Sequence, residues 1–150
     1  MNVKPNTQDA KPVDDLRSRH LRPQDMPWQK LRFPGCEMKT LLFDPKSGLA
    51  TMLMKMKPGA VLPDHEHVLI EQAYVLEGSL VDKEGPDAGI EVGPGEFVWR
   101  PAGSRHVAWS PKGGTSAMFQ IPNKFFEKHG RVVDASGKDW ESVWGQLLSK

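Results

Sequence analysis

Between Leu49 and Lys57 the side chains alternate: Ala50, Met52, Met54 and Met56 are apolar, and the positions between them end in Lys55 and Lys57. A period of two puts those four residues on one face of a strand. That face is expected to pack as core, and Met52 and Met54 are also candidates for the wall of an apolar ligand pocket. Short apolar segments recur along the chain, each closed by turn residues. They fall at 28–33 before Pro34-Gly35, at 37–43 before Asp44-Pro45, and then at 70–76, 79–82, 90–92, 96–100, 106–109 and 115–121. Many short strands at close spacing predict an all-β sandwich or barrel.

The two ends depart from this pattern. Residues 1–24 are polar and carry Pro5, Pro12 and Pro23 with almost nothing to bury, so they read as a flexible N-terminal arm. Residues 25–150 read as a single domain. At its end Trp140, Val143, Trp144, Leu147 and Leu148 recur at the spacing of one helix face, with Asp139 placed as a cap. This predicts a short C-terminal helix over 139–149 that docks on its own barrel or on a second copy.

Composition narrows the class. A chain of 150 residues holds one core and folds without disulfides or a structural metal. Twenty basic against nineteen acidic residues leave a formal charge of +1, which argues against a nucleic-acid footprint. Cys36 is the only cysteine, so an internal disulfide and an all-cysteine zinc site are both excluded. The sequence has no apolar run of about 18 residues, the length a membrane span needs, and no signal-type stretch near its start. The expected setting is the cytoplasm.

The candidate chemistry lies in two stretches. His65 and His67 are two apart, so on a strand both imidazoles point the same way, and Glu71 follows after a short turn. Farther on, Gly95, Pro101 and Gly103 frame a turn that leads to His106. Three imidazoles and one carboxylate suit a divalent first-row metal with room left for water or substrate. A lone His-x-His carries little weight, but the combined pattern is specific. His20 and His129 sit in polar surroundings and read as solvated bystanders. Cys36 reads as a buried, inert thiol. Tyr74 has the opposite strand parity to Glu71 and is expected on the outer side, and Arg105 beside His106 reads as a surface charge. Trp99, Trp109 and Phe119 are candidates for the pocket wall or for an interface between copies.

The two stretches match both motifs of the cupin superfamily: G-x5-H-x-H-x3-E-x6-G from Gly59 to Gly78, and G-x5-P-x-G-x2-H from Gly95 to His106. Where many cupins end the second motif in Asn, this chain has Ser110, a structural position. Within the superfamily the chain resembles the cupin domain of ChrR-type anti-sigma factors and their free-standing relatives. That resemblance rests on Val75-Leu76-Glu77-Gly78-Ser79 with Asp82, on the run from Arg100 to His106, and on Trp28 with Pro34-Gly35. It implies a double-stranded β-helix, a jelly-roll barrel. It also implies a metal held by His65, His67, Glu71 and His106, with Fe2+ first and Zn2+, Mn2+ or Ni2+ as alternatives. The CxxC and helical zinc domain that such anti-sigma proteins carry are not seen ahead of the motifs, which counts against sigma-factor inhibition.

Function does not follow from fold. Three readings share the ligand set. The first is an iron-dependent dioxygenase acting on a small ketone or diketone, with a pocket lined by Met52, Met54, Trp99 and Phe119. The second is a redox-neutral isomerase, lyase or decarboxylase. The third is a non-enzymatic, metal-binding sensor module. The expected partners are a small-molecule substrate and a second copy of the chain, with neither nucleic acid nor membrane.

Overall fold

The computed structural model describes residues 17–44, 46–121, 123–127 and 130–133. The strands predicted from alternation form two six-stranded antiparallel sheets packed face to face. The strands are β1 (Gln29–Lys30), β2 (Cys36–Phe43), β3 (Ala50–Met56), β4 (Ala60–Glu66), β5 (Glu71–Gly78), β6 (Leu80–Glu84), β7 (Glu91–Val92), β8 (Phe97–Arg100), β9 (Arg105–Ser110), β10 (Gly114–Gln120), β11 (Lys124–Phe126) and β12 (Val132–Val133). The first sheet runs β1-β2-β3-β10-β5-β8 and the second β12-β11-β4-β9-β6-β7. Strands consecutive in sequence therefore often lie in opposite sheets, which is the winding of a double-stranded β-helix.

The alternation in β3 holds without a break: Ala50, Met52, Met54 and Met56 are buried and Thr51, Leu53 and Lys55 half-buried. With Val75, Met118, Phe125 and Val133 they make up much of the core between the sheets. Strand β4, absent from the apolar segments read in the sequence, carries His65 and pairs with β9 so that His65 faces His106. A register shift between Leu62 and His65 accompanies this pairing. Such a bulge re-aims side chains and marks many functional strands.

The motif glycine Gly78 closes β5 at φ +73°, and a Cβ there would sit 1.7 Å from the Gly113 carbonyl oxygen. Only glycine tolerates both conditions, since the left-handed backbone and the close approach each exclude a side chain.

The end of the N-terminal arm is docked rather than loose. Pro23–Asp25 forms a single 3-10 turn. Lys39 Nζ donates to the Pro23 carbonyl at 2.6 Å, and Trp28 lies under the ammonium groups of Lys39 and Lys55. This segment covers the outer face of β2 and β3. The helix predicted over 139–149 lies outside the described residues, as does the first part of the arm. Among the described residues there is no helix long and apolar enough to cross a membrane.

Candidate metal centre

Three strand ends bring the site together. His65 comes from the end of β4 and His67 from just beyond it, Glu71 opens β5, and His106 is the second residue of β9. As the His-x-His spacing predicts, both imidazoles of the pair turn inward: His65 is 1% exposed and His67 0%. The chain after β4 is fixed by paired backbone bonds, His67 N–H to the Ser104 carbonyl at 2.9 Å and Gly103 N–H to the His67 carbonyl at 2.7 Å. These hold the second motif's Gly-x-x-His turn against the first.

The three histidines converge through their Nε2 atoms. His106 Nε2 lies 3.0 Å from His65 Nε2 and 3.1 Å from His67 Nε2. Their outer nitrogens are each engaged by an acceptor. His65 Nδ1 meets the Pro63 carbonyl at 2.8 Å, His67 Nδ1 meets Asn123 Oδ1 at 3.0 Å, and His106 Nδ1 meets Asp82 Oδ1 at 2.8 Å. A neutral imidazole has one N–H and one lone pair. With the proton spent on the Nδ1 side, each ring presents a lone pair at Nε2. Three lone pairs within 4.8 Å of one another, with no proton between them, repel, and a cation relieves that. The three residues form a group able to hold a metal ion, so the donor set fits one.

Burial keeps the His65 and His67 rings neutral. Loss of solvent, reinforced by His106, pushes the His65 pKa down to about 3. The same loss, with His106 and the Arg100 charge, pushes His67 down to about 3. Protons therefore compete for these nitrogens only in strong acid.

Glu71 is buried in the same cavity wall, but its carboxylate stands outside the three-nitrogen group. Its Oε2 lies 3.3 Å from His67 Nδ1 and accepts from Asn123 Nδ2 at 3.5 Å, while its Oε1 accepts from Arg100 Nη1 at 3.3 Å. Arg100, the last residue of β8, also donates from Nη2 to Asp82 at 2.6 Å. One buried guanidinium thus ties together the two carboxylates that touch the outer nitrogens of His67 and His106. Burial alone would raise the Asp82 carboxyl, but the His106 contact and the Arg100 charge hold it below the ordinary carboxylate range. Arg100 Nε has no hydrogen-bond partner among the described residues.

The cavity beside the histidines has a volume of about 20 Å³ and is walled by Met54, Met56, Leu62 and Met118 with Glu71 and Arg100. That is room for about one or two water molecules. Met54 lies where the alternation of β3 placed it, and Met52 is buried in the core nearby. Trp99 and Phe119 are not in this wall. They are 57% and 41% exposed on the outer face of the first sheet, because Arg100 and Met118, their strand neighbours, take the inward positions. Tyr74 is exposed on the same outer face, and Arg105 bonds Asp64 at the surface, donating from Nε at 2.7 Å. Ser110 is buried and donates to the Ser79 carbonyl, a structural contact. His20 is exposed. Cys36 is a buried thiol whose pKa is pushed up to about 11 by burial.

The sequence reading missed Asp82 as a partner of His106, and it missed Arg100 and Asn123 altogether. Arg100 left one usable signal: it shares strand parity with Val98 and closes a strand that runs into Pro101.

Barrel and site together define a cupin. The chain belongs to the family of the ChrR cupin-like domain, whose profile matches residues 17–129. An acetylacetone dioxygenase from Acinetobacter johnsonii superposes with a TM-score of 0.71 at 14% identity, over 93% of this chain and 99% of that one. A chain of the Rhodobacter sphaeroides complex of SigE with the anti-sigma ChrR superposes with a TM-score of 0.54 at 19% identity, over 66% of this chain and 50% of that one. At such identities the likeness is one of fold. In sequence, oxalate decarboxylase OxdC of Bacillus subtilis is 29% identical over 85 residues, 54% of this chain and 22% of the decarboxylase. The chain thus matches about a fifth of that relative's length.

Proposed function

We propose that this chain is a metal-dependent cupin enzyme, an iron(II) dioxygenase acting on a small ketone or diketone-like molecule. The observation that supports a metal most directly is the convergence of three buried Nε2 lone pairs whose rings have spent their protons on outer acceptors. His65, His67 and His106 are the ligands. Glu71 is the fourth donor in this proposal, and it reaches the ion by giving up Arg100 and Asn123. A bound divalent iron would supply Lewis acidity, open positions and a redox partner for O2.

The chain's own residues then have separable roles. Asp82, Asn123 and the Pro63 carbonyl hold the three rings in the Nδ1-protonated form. Arg100 Nε–H is the buried donor left for a carbonyl oxygen of the ligand. Met54, Met56, Leu62 and Met118 keep water out. Because the cavity is small, a diketone enters only as those thioether side chains shift, which their three rotatable bonds allow. The activity of the Acinetobacter johnsonii protein, similar over nearly its whole length, supports the dioxygenase reading. The ChrR family match and the small cavity favour a second reading, a metal-binding module without catalysis.

Anaerobically purified protein loaded with iron(II) should consume O2 when acetylacetone is added, and the zinc form should not, because zinc has no accessible redox state. A zinc form as active as the iron form would move the reading to redox-neutral chemistry. A metal-loaded protein inert with every metal and ketone would favour the binding module.

A further inference from the structure

One short strand, β11, meets the centre from behind its ligands. Asn123, just ahead of the strand, accepts from His67 Nδ1 with its Oδ1 at 3.0 Å and donates from Nδ2 to Glu71 Oε2 at 3.5 Å. Two residues on, Phe125 stacks on the His65 ring, with centroids 4.9 Å apart and planes at 30°. Asn123 and Phe125 are both buried. Their neighbours grip the rim: Lys124 pairs with Glu66, and the Arg105 guanidinium lies 3.8 Å over the Phe126 ring. Two side chains of this one segment therefore touch His65, His67 and Glu71.

The backbone hold on β11 is slight. It pairs with β4 at Lys124↔Glu66 and Phe125↔His65, and with β12 at Phe125↔Val133 and Phe126↔Val132. A short hairpin at a sheet edge opens at a lower free energy than the core strands. The side-chain contacts with the ligands therefore decide how tightly it docks.

Those contacts respond to charge. A cation held at Nε2 draws electrons from an imidazole, which makes the Nδ1 hydrogen of His67 a stronger donor to Asn123. The His65 ring likewise gains positive charge against the π face of Phe125, and the stack becomes more attractive. The Asn123 contact with Glu71 is already at the limit of a hydrogen bond, so its loss as Glu71 turns to the ion takes little away. We infer that β11 is a strap that tightens over the filled centre, so that occupancy sets the order of the β11–β12 hairpin; this rests on the metal proposed for the three histidines. Such coupling is reciprocal, and a strap held down raises the affinity for the ion. Arg32 pairs with Glu127 at 2.7 Å and the Phe33 ring lies 4.7 Å from that of Phe125, which links the strap to the turn after β1.

The test is amide hydrogen exchange of the full chain with and without zinc(II), with zinc binding followed separately by competition against a chelator. The control strand is β7, which also has two residues paired at a sheet edge, at the opposite side of the same sheet, and pairs with β6. Zinc should slow exchange over 123–126 and 132–133 by about 10-fold more than over 91–92. Phe125→Leu keeps an apolar side chain but removes the ring. It should bind zinc about 5-fold more weakly and lose most of the extra protection over 123–126. Zinc bound with equal slowing at both edges would mean that the ion only stabilises the whole barrel, and would overturn the strap while leaving the metal centre standing. Wild-type zinc affinity together with wild-type protection in Phe125→Leu would overturn it as well. A wild type that binds no zinc would overturn the metal centre and the strap together.

Discussion

Asp82 accepts the Nδ1 hydrogen of His106 at 2.8 Å, across 24 residues of sequence and between neighbouring strands of the second sheet. The same oxygen takes Arg100 Nη2 at 2.6 Å. Asp82 therefore does two things at once: it sets the tautomer of one ring and anchors the buried cation. Asp82→Asn keeps the shape but removes the charge and offers an N–H where an acceptor is needed. Metal affinity, read by competition with a chromophoric chelator, should fall by about 10–100-fold. Unchanged affinity would mean that His106 needs no orienting partner.

Arg100 is expected to matter for stability before it matters for chemistry. It is 8% exposed and neutralises two carboxylates that are themselves buried. Arg100→Met leaves Asp82 and Glu71 as uncompensated buried charges, a change that costs about 3–5 kcal/mol. The metal-free protein should lose that much in urea denaturation, and Arg100→Lys should recover part of it. A loss below about 1 kcal/mol would show that water already reaches the pair.

What was legible in the sequence and what was not divide along a physical line. His65 and His67 could be read because a period of two is local: neighbours two apart share a face whatever the rest of the chain does. The inward run of Met52, Met54 and Met56 follows from the same rule. Asp82 and Asn123 could not be read, and Arg100 only by its strand parity, because their partners depend on which strands lie side by side in three dimensions. Asn123 sits 56 residues from the ring it orients. Trp99 and Phe119 show the opposite case. Their size suggested a pocket wall, yet parity against Arg100 and Met118 sends them outside. Once Arg100 is taken as a charge buried by its pair with Glu71, the outward position of Trp99 follows.

Glu71→Gln tests the proposed fourth ligand. If the carboxylate moves from Arg100 to the ion, the variant should bind cobalt(II) at least 10-fold more weakly, and its visible absorption bands should shift. A cobalt spectrum identical to wild type would leave a three-histidine centre in which Glu71 only steadies His67 and Arg100.

In an unfolded chain an imidazole protonates near pH 6.5. In the folded, metal-free protein, burial holds His65 and His67 down to about 3. Between those values the unfolded state binds protons that the folded state refuses, so stability falls as pH falls. The contribution of the two rings is fully present above about 6.5 and is lost progressively toward 3. At pH 5, unfolding should take up about two extra protons, visible as a urea midpoint that drops with each unit of acid. His65→Gln/His67→Gln removes both titrating groups and should flatten the profile across that window, whatever it does to stability at neutral pH. A metal added to the wild type binds only the folded state and should raise stability while keeping that slope, because the bound rings still refuse the protons that the unfolded chain takes up. If the double variant kept the full wild-type slope between pH 6.5 and 4, the two rings would have to be hydrated and protonated in the fold, and the three-nitrogen centre would have to be redrawn.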